Sequence, residues 1–218
     1  MRGARGDTLQ KRSLPMHFQL VLATRNRGKL EEIRRALGSV PVDLYTLDDF
    51  PGCREVREDA GTFEGNAVKK AVSVSSYTRK PAVADDSGLV VDSLHGAPGV
   101  LSARYAGEDA DDRRNVEKLL AQMAGTENGN RKARFVCVIA LALPGGKEVK
   151  TFEGHVEGRI ATEMKGTGGF GYDPVFYPAG FDRTFAEMEP AEKDALSHRG
   201  MALNKLRKYL AERTGCFS

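Results

Sequence analysis

Tryptophan is absent from this chain of 218 residues, and cysteine is reduced to Cys53, Cys137 and Cys216. The three are far apart and form no C-x-x-C pair, which excludes a disulfide framework and a zinc ribbon and fits a reducing compartment. Long apolar runs are missing as well. The longest, Phe135 to Leu143, has nine residues, under half of the ~20 that a membrane-spanning helix needs. There is no internal repeat, no low-complexity tract and no G-x-x-x-x-G-K-[ST] spacing, so the P-loop is excluded. An excess of one charge is also lacking over most of the chain. Residues 1–16 hold four of the 33 basic side chains and one of the 30 acidic ones, so the 29 of each sign from His17 onward cancel. The net charge of +3 belongs to this leader, and a broad nucleic-acid-binding face is not indicated. The leader has no apolar centre of the ~7–15 residues that export requires. It reads as a disordered arm or the product of an upstream start codon, ahead of a single domain over 17–218.

What is present is ordinary globular material, 40% apolar and 29% charged, with strand and helix patterns alternating as in an α/β fold. His17 to Ala23 reads as a buried strand. A helix follows with Leu30, Ile33, Arg34 and Leu37 at helical spacing and Gly38 at its C-terminal end. Val42 to Leu47 is a short strand. Thr62 is an expected N-cap for a helix with Phe63, Ala67, Ala71 and Val74 on one stripe. Pro81 to Ala84 is expected to be a strand ending at Asp85, with an extended pattern resuming at Leu89 to Val91. Asp109 to Ala124 is a helix. Ala133 to Leu143 is apolar on both faces, hence a central strand, and Pro144-Gly145-Gly146 turns it into an antiparallel partner at Glu148 to Glu153. The sheet is therefore mixed. Further strands are expected at Val156 to Ala161, Val175 to Tyr177 and Thr184 to Met188, and the last helix turns Leu203, Leu206 and Leu210 inward.

Four polar clusters interrupt this scaffold. Thr24-Arg25-Asn26-Arg27-Gly28-Lys29 joins a strand to a helix, and exposed helix N–H groups beside a lysine suit a phosphate. Glu58-Asp59 precedes the Thr62 helix. In Asp85-Asp86-Ser87-Gly88, adjacent acids at a strand end call for a cation, and oxygen ligands favour Mg²⁺ over zinc. Strand alternation lets one of Asp85 and Asp86 enter the site while the other braces the turn. The glycine-rich run from Gly166 to Pro174 carries Phe170 and Tyr172, aromatics able to stack on a base; Lys193 and Ser197-His198-Arg199 follow. Taken singly, each cluster has a plainer reading: a solvated basic turn, a solvated acidic turn, a flexible loop, a capping histidine.

Taken together they resemble one family. T-R-N-R-G-K at 24–29, E-D-A-G-T-F-E-G-N-A at 58–67 and A-D-D-S-G-L at 84–89 are similar to inosine triphosphate pyrophosphatases. The order continues with G-A-P-G-V-L-S-A-R-Y-A-G at 96–107, G-G-F-G-Y-D-P at 168–174 and E-K-D-A-L-S-H-R-G at 192–200. The resemblance covers about 18–210. It implies a mixed central sheet flanked by helices, two lobes with an active-site cleft between them, a homodimer and a cytoplasmic enzyme. The implied activity is hydrolysis of deaminated purine nucleoside triphosphates (ITP, dITP, XTP) to monophosphate and pyrophosphate, which keeps them out of DNA and RNA.

By the same resemblance, Thr24, Arg25, Asn26, Arg27, Gly28, Lys29 and Ser87 contact phosphates, and Phe170 stacks on the base. Gly171 and Tyr172 belong to the same substrate-binding segment, while Asp173, Lys193, His198 and Arg199 surround the purine and phosphates. Glu58 and Asp86 match the Mg²⁺ ligands, with Asp86 also the general base, although Glu58 remains open for that proton. Gly65 departs from the pattern, standing where many relatives carry a second acid. Arg199 is the best fixed donor for a 6-oxo group. Two other readings are a same-fold pyrophosphatase for pyrimidine or modified nucleotides and a non-catalytic nucleotide- or RNA-binding module. The intact acids at 58 and 86 and the neutral body speak against the second.

Overall fold

The structure, a computed structural model, describes residues 18–127, 130–145 and 148–214. The leader, the start of the first strand at His17, Gly146 of the turn and Cys216 lie outside the described residues. Six strands form one mixed sheet in the order β2-β1-β3-β4-β5-β6. β1 (Phe18–Leu22) runs parallel to β2 (Val42–Thr46) and to β3 (Ala82–Val91). β4 (Lys132–Ala142), β5 (Val149–Ile160) and β6 (Phe176–Pro178) add antiparallel. The helices are α1 (Arg27–Leu37), α2 (Phe63–Thr78), α3 (Asp112–Gln122), α4 (Pro190–Leu196) and α5 (His198–Thr214). Local chemistry sets their starts. Asn26, Thr62 and Asp111 each accept a hydrogen bond from the backbone N–H three residues on, at 3.0, 3.0 and 2.8 Å.

Period-two alternation sorts the sheet into two faces. Leu20, Leu22, Val83, Cys137, Ile139 and Leu141 pack with Ile33 and Leu37 of α1 and Leu203, Leu206 and Leu210 of α5. Val21, Ala82, Ala84, Val138 and Ala140 face Ala67, Ala71 and Val74 of α2. A further core lies around the far halves of β3 and β4, where Leu89, Val91 and Phe135 meet Val116 and Leu119 of α3 and Phe176 and Phe185. The cleft opens between this third cluster and the first two.

Five expectations are corrected. Asp85-Asp86-Ser87-Gly88 is no turn, because β3 is continuous and pairs with β4 from Ala82 to Val91. What ends there is β1, whose last partner is Val83; the acids therefore lie on an extended strand just past its neighbour's end. Gly88 permits this path, since a Cβ there would lie 2.5 Å from the Gly99 carbonyl oxygen and from Ser102 Oγ. The two segments 148–153 and 156–161 are one strand, β5, and Gly154 is a contact point instead of a break. A Cβ on it would lie 2.1 Å from the His198 carbonyl oxygen at the start of α5. Thr184 to Met188 is not a strand but a 3-10 turn over Phe185–Glu187. Glu187 Oε2 accepts from the Thr184 N–H at 2.8 Å and from its hydroxyl at 3.0 Å, a local bond that competes with a sheet ladder. The helix expected from Asp109 starts at Asp112, behind its Asp111 cap, and Arg34 is exposed instead of joining the buried stripe.

Candidate active site

Alternation along β3 sends its two aspartates to opposite faces. Asp85 shares the face of Val83 and meets α1 and α5; Asp86 shares the face of Ala84 and meets α2. Asp85 Oδ1 forms an ion pair with Lys29 Nζ at 2.5 Å, and Oδ2 accepts from Arg199 Nε at 2.8 Å. Asp86 Oδ2 accepts from Asn66 Nδ2 at 3.1 Å, and its Oδ1 lies 3.3 Å from Lys70 Nζ. Lys70 also donates to Glu58 Oε1 at 2.6 Å. Arg104 Nη2 holds the Glu58 carbonyl at 2.8 Å and fixes that loop.

Two cavities adjoin along this line. Both are lined by Asn26, Lys29, Ser87 and Ala103, which form the wall between them. The first is bounded by Phe135, Phe170, Tyr172, Lys193, His198 and Arg199. The second is bounded by Thr24, Arg25, Glu58, Lys70 and Asp86. One compartment is thus aromatic and cationic, the other acidic with a basic rim. Arg25, exposed, reaches Asp48 at 3.4 Å. Arg27 opens α1 on the exposed surface and lines neither cavity.

Gly28 serves Phe170: a Cβ at 28 would sit 2.5 Å from the phenyl Cδ1. The ring centroid lies 4.8 Å from Lys193 Nζ and 5.3 Å from Arg199 Cζ, so two cations flank its π system. Asp173 Oδ2 takes the Phe170 N–H at 2.9 Å and Lys193 Nζ at 2.5 Å. Gly171 donates its N–H to Asp112 at 2.7 Å, and the Tyr172 hydroxyl donates to the Ser102 carbonyl at 2.9 Å. His198 stacks on Phe135, centroids 4.6 Å apart and planes within 5°. Its Nδ1 is buried without a hydrogen-bond partner, an unmet polar atom on the wall of the first cavity.

Burial and charge set the protonation states. Burial opposes ionisation of Asp85, but Arg199 and Lys29 hold its carboxyl well below the usual range. Burial raises Asp86, and the neighbouring Glu58 charge adds to this against the pull of Lys70. Burial likewise opposes the charges of Glu58 and Lys70, yet their mutual attraction prevails, lowering the first and raising the second. Burial, then the Arg199 charge, hold His198 well below the usual histidine range, so its imidazole is neutral.

Several partners escaped the sequence reading. Glu32, 5% exposed, accepts from Lys193 at 2.8 Å and from Arg199 at 2.6 Å. Asn66 and Lys70 lie one helical turn apart beside Ala67 and Ala71, and the polar pair flanking a small-residue stripe was their available signal. Asp85, expected to brace a turn, instead ties two cations.

The donors for a hard cation are oxygens. Glu58 and Asp86 converge within 3.3 Å of the single ammonium of Lys70, so the pair already surrounds one positive charge. Among the described residues no three His, Cys, Asp or Glu gather for a metal. Two carboxylates supplemented by phosphate oxygens is the arrangement Mg²⁺ accepts.

A family model described as the Ham1 family matches residues 20–209. The chain belongs to the Ham1 family. It is 50% identical over 193 residues to a dITP/XTP pyrophosphatase of Desulforamulus reducens, covering 88% of this chain and 96% of that one. A dITP/XTP pyrophosphatase of Bacillus subtilis is 47% identical over 192 residues, covering 88% and 96%. Among solved structures, a HAM1 protein from Coxiella burnetii superposes with a TM-score of 0.82 at 40% identity, covering 89% of this chain and 99% of that one. The Ham1 protein of Staphylococcus aureus gives 0.79 at 39% identity, covering 89% and 98%. The mixed α/β architecture expected from the strand pattern is thus the family's.

Proposed function

We propose that this chain hydrolyses deaminated purine nucleoside triphosphates, ITP, dITP and XTP, to the monophosphate and pyrophosphate. The carrying observation is the pair of adjoining cavities, one aromatic and cationic, one dicarboxylate, with Asn26, Lys29 and Ser87 between them. The names of the relatives agree with it. A flat base suits the space beside Phe170, with polar edges toward Lys193, His198 and Arg199. The triphosphate then crosses the Lys29 wall, where the N-terminus of α1 and the lysine ammonium meet its charge. Glu58 and Asp86 would hold Mg²⁺, which when bound supplies charge neutralisation on the phosphates.

Water attacks the α-phosphorus: a new P–O bond forms, the α–β anhydride breaks and pyrophosphate leaves. The released proton goes to one of the paired carboxylates, Asp86 or Glu58. Homodimer formation and a cytoplasmic site of action belong to the same reading, and sedimentation velocity checks the former.

Conversion of ITP, ATP and UTP to their monophosphates with release of pyrophosphate, read directly by anion-exchange chromatography plus and minus EDTA, tests the reading. ITP-dependent release that EDTA abolishes is expected. Equal or faster release from UTP would assign the site to pyrimidines, and no release from any of the three would leave a binding module.

A further inference from the structure

We propose that Asp85 is a positioning residue that couples the two compartments, holding the Lys29 ammonium on the phosphate side and the Arg199 guanidinium on the base side with one carboxylate. The inference rests on the nucleotide reading above, because it takes the two cavities as the two ends of one ligand. Asp85 has a fully buried side chain and touches no cavity itself. Oδ1 takes Lys29 Nζ at 2.5 Å and the Ser87 hydroxyl at 3.0 Å; Oδ2 takes Arg199 Nε at 2.8 Å and the Cys137 thiol at 3.0 Å. Three hydrogen-bond donors and the Lys29 ammonium surround the carboxylate, occupying the roughly four lone-pair positions it offers, so the group is held on both oxygens. Its neighbours are fixed too: Arg199 Nη1 is anchored on Glu32 at 2.6 Å and Nη2 on Ser87 at 2.7 Å.

Sharing one anion makes the two cations dependent. Lys29 stands on the wall common to both cavities, with its side chain 15% exposed, so it can be drawn toward a phosphate. Asp85 then keeps Arg199 as its single cationic partner. The guanidinium is gripped harder in the place where it faces the base compartment, and a base meets a better-ordered wall. Phosphate binding should therefore tighten base binding, and linkage requires the reverse by the same factor.

The test uses the full chain and one probe for each end. Inosine carries the base without phosphates, and inorganic tripolyphosphate carries the phosphates without a base. Calorimetric titration of each, alone and with the other saturating, should show at least a threefold gain in affinity in both directions. In Asp85→Asn the factor should fall to one while both probes still bind. Lys29→Gln cuts the same tie from its more exposed end and should also bring the factor to one, with tripolyphosphate bound more weakly because the ammonium that meets it is gone, which keeps the question decidable if Asp85→Asn does not fold. Independent binding in the wild type, or a factor that persists in Asp85→Asn, overturns the inference while the nucleotide reading stands. Failure of ITP to displace either probe overturns both.

Discussion

Arg199 shows how one side chain's stability role bears on tests of its function. At 2% exposure it pairs with Asp85 and Glu32, both buried. Arg199→Ala takes one of two cations from each carboxylate, leaving Asp85 with Lys29 and Glu32 with Lys193, and should cost about 3–5 kcal/mol in denaturant unfolding. A selectivity change in that variant is informative only alongside its unfolding curve. Asp86→Asn is the cleaner probe, because Lys70 keeps Glu58 and the Asp85 carbonyl, at 2.6 and 2.8 Å. Its turnover of ITP should fall about 10³-fold or more, ~4 kcal/mol, with unfolding little changed; retention of a tenth of the activity would remove Asp86 from the chemistry. His198 yields a pH prediction. Burial, then the Arg199 charge, hold its folded pKa well below the ordinary histidine value of about 6.5, so below that pH the unfolded chain binds a proton that the folded one refuses. Stability should therefore fall as pH drops from about 6.5, by at most about 1.4 kcal/mol per pH unit from this group. His198→Gln should flatten that part of the profile, read as the difference between the two chains' unfolding free energies from pH 7 to 5.

At the level of elements, the pattern of apolar residues located four of the five helices, missing α4, and most strands, and close approach decided much of the remainder. The central glycine of β5 is legible as a helix contact only once α5 is in place. Gly154→Ala would drive a methyl group into the backbone of His198 and Ala202, 2.1 and 2.8 Å from the ideal Cβ. It should destabilise by about 1–3 kcal/mol as overpacking does, a penalty that chemical denaturation would register and that a solvent-facing glycine would not show. Gly28 makes the opposite case. Alanine there favours α1 by about 1 kcal/mol, but its Cβ displaces the Phe170 ring, 2.5 Å away. Gly28→Ala should therefore keep its melting temperature and weaken inosine binding severalfold in calorimetry; unchanged inosine affinity would detach Phe170 from the base compartment. The acids of β3 were legible as a site, but not as strand, because β1 ends beside them while β3 continues.

At the scale of the whole molecule, the buried and half-buried charges that form ion pairs around the two cavities separate into two groups. Lys29, Lys193 and Arg199 balance Glu32, Asp85 and Asp173, whereas Lys70 faces both Glu58 and Asp86. The second group carries one uncompensated negative charge, the sign a cation requires. Mg²⁺ at a hundred times its Kd should raise the unfolding free energy by about 2.7 kcal/mol in the wild type and by much less in Asp86→Asn; equal shifts in the two would place the cation elsewhere. By itself the sequence determined most of the element types, the mixed α/β class and the polar clusters, since these follow from local periodicity, capping and motif order. The partners of the buried charges were decided by the tertiary structure alone. Glu32 lies 161 positions from Lys193 and 167 from Arg199, and nothing in a helix's own spacing shows which distant cation will neutralise a carboxylate. That pairing follows from the packing of α1 against α5 over one face of the sheet, because a buried charge is tolerated only where the fold brings its counter-charge within hydrogen-bond reach.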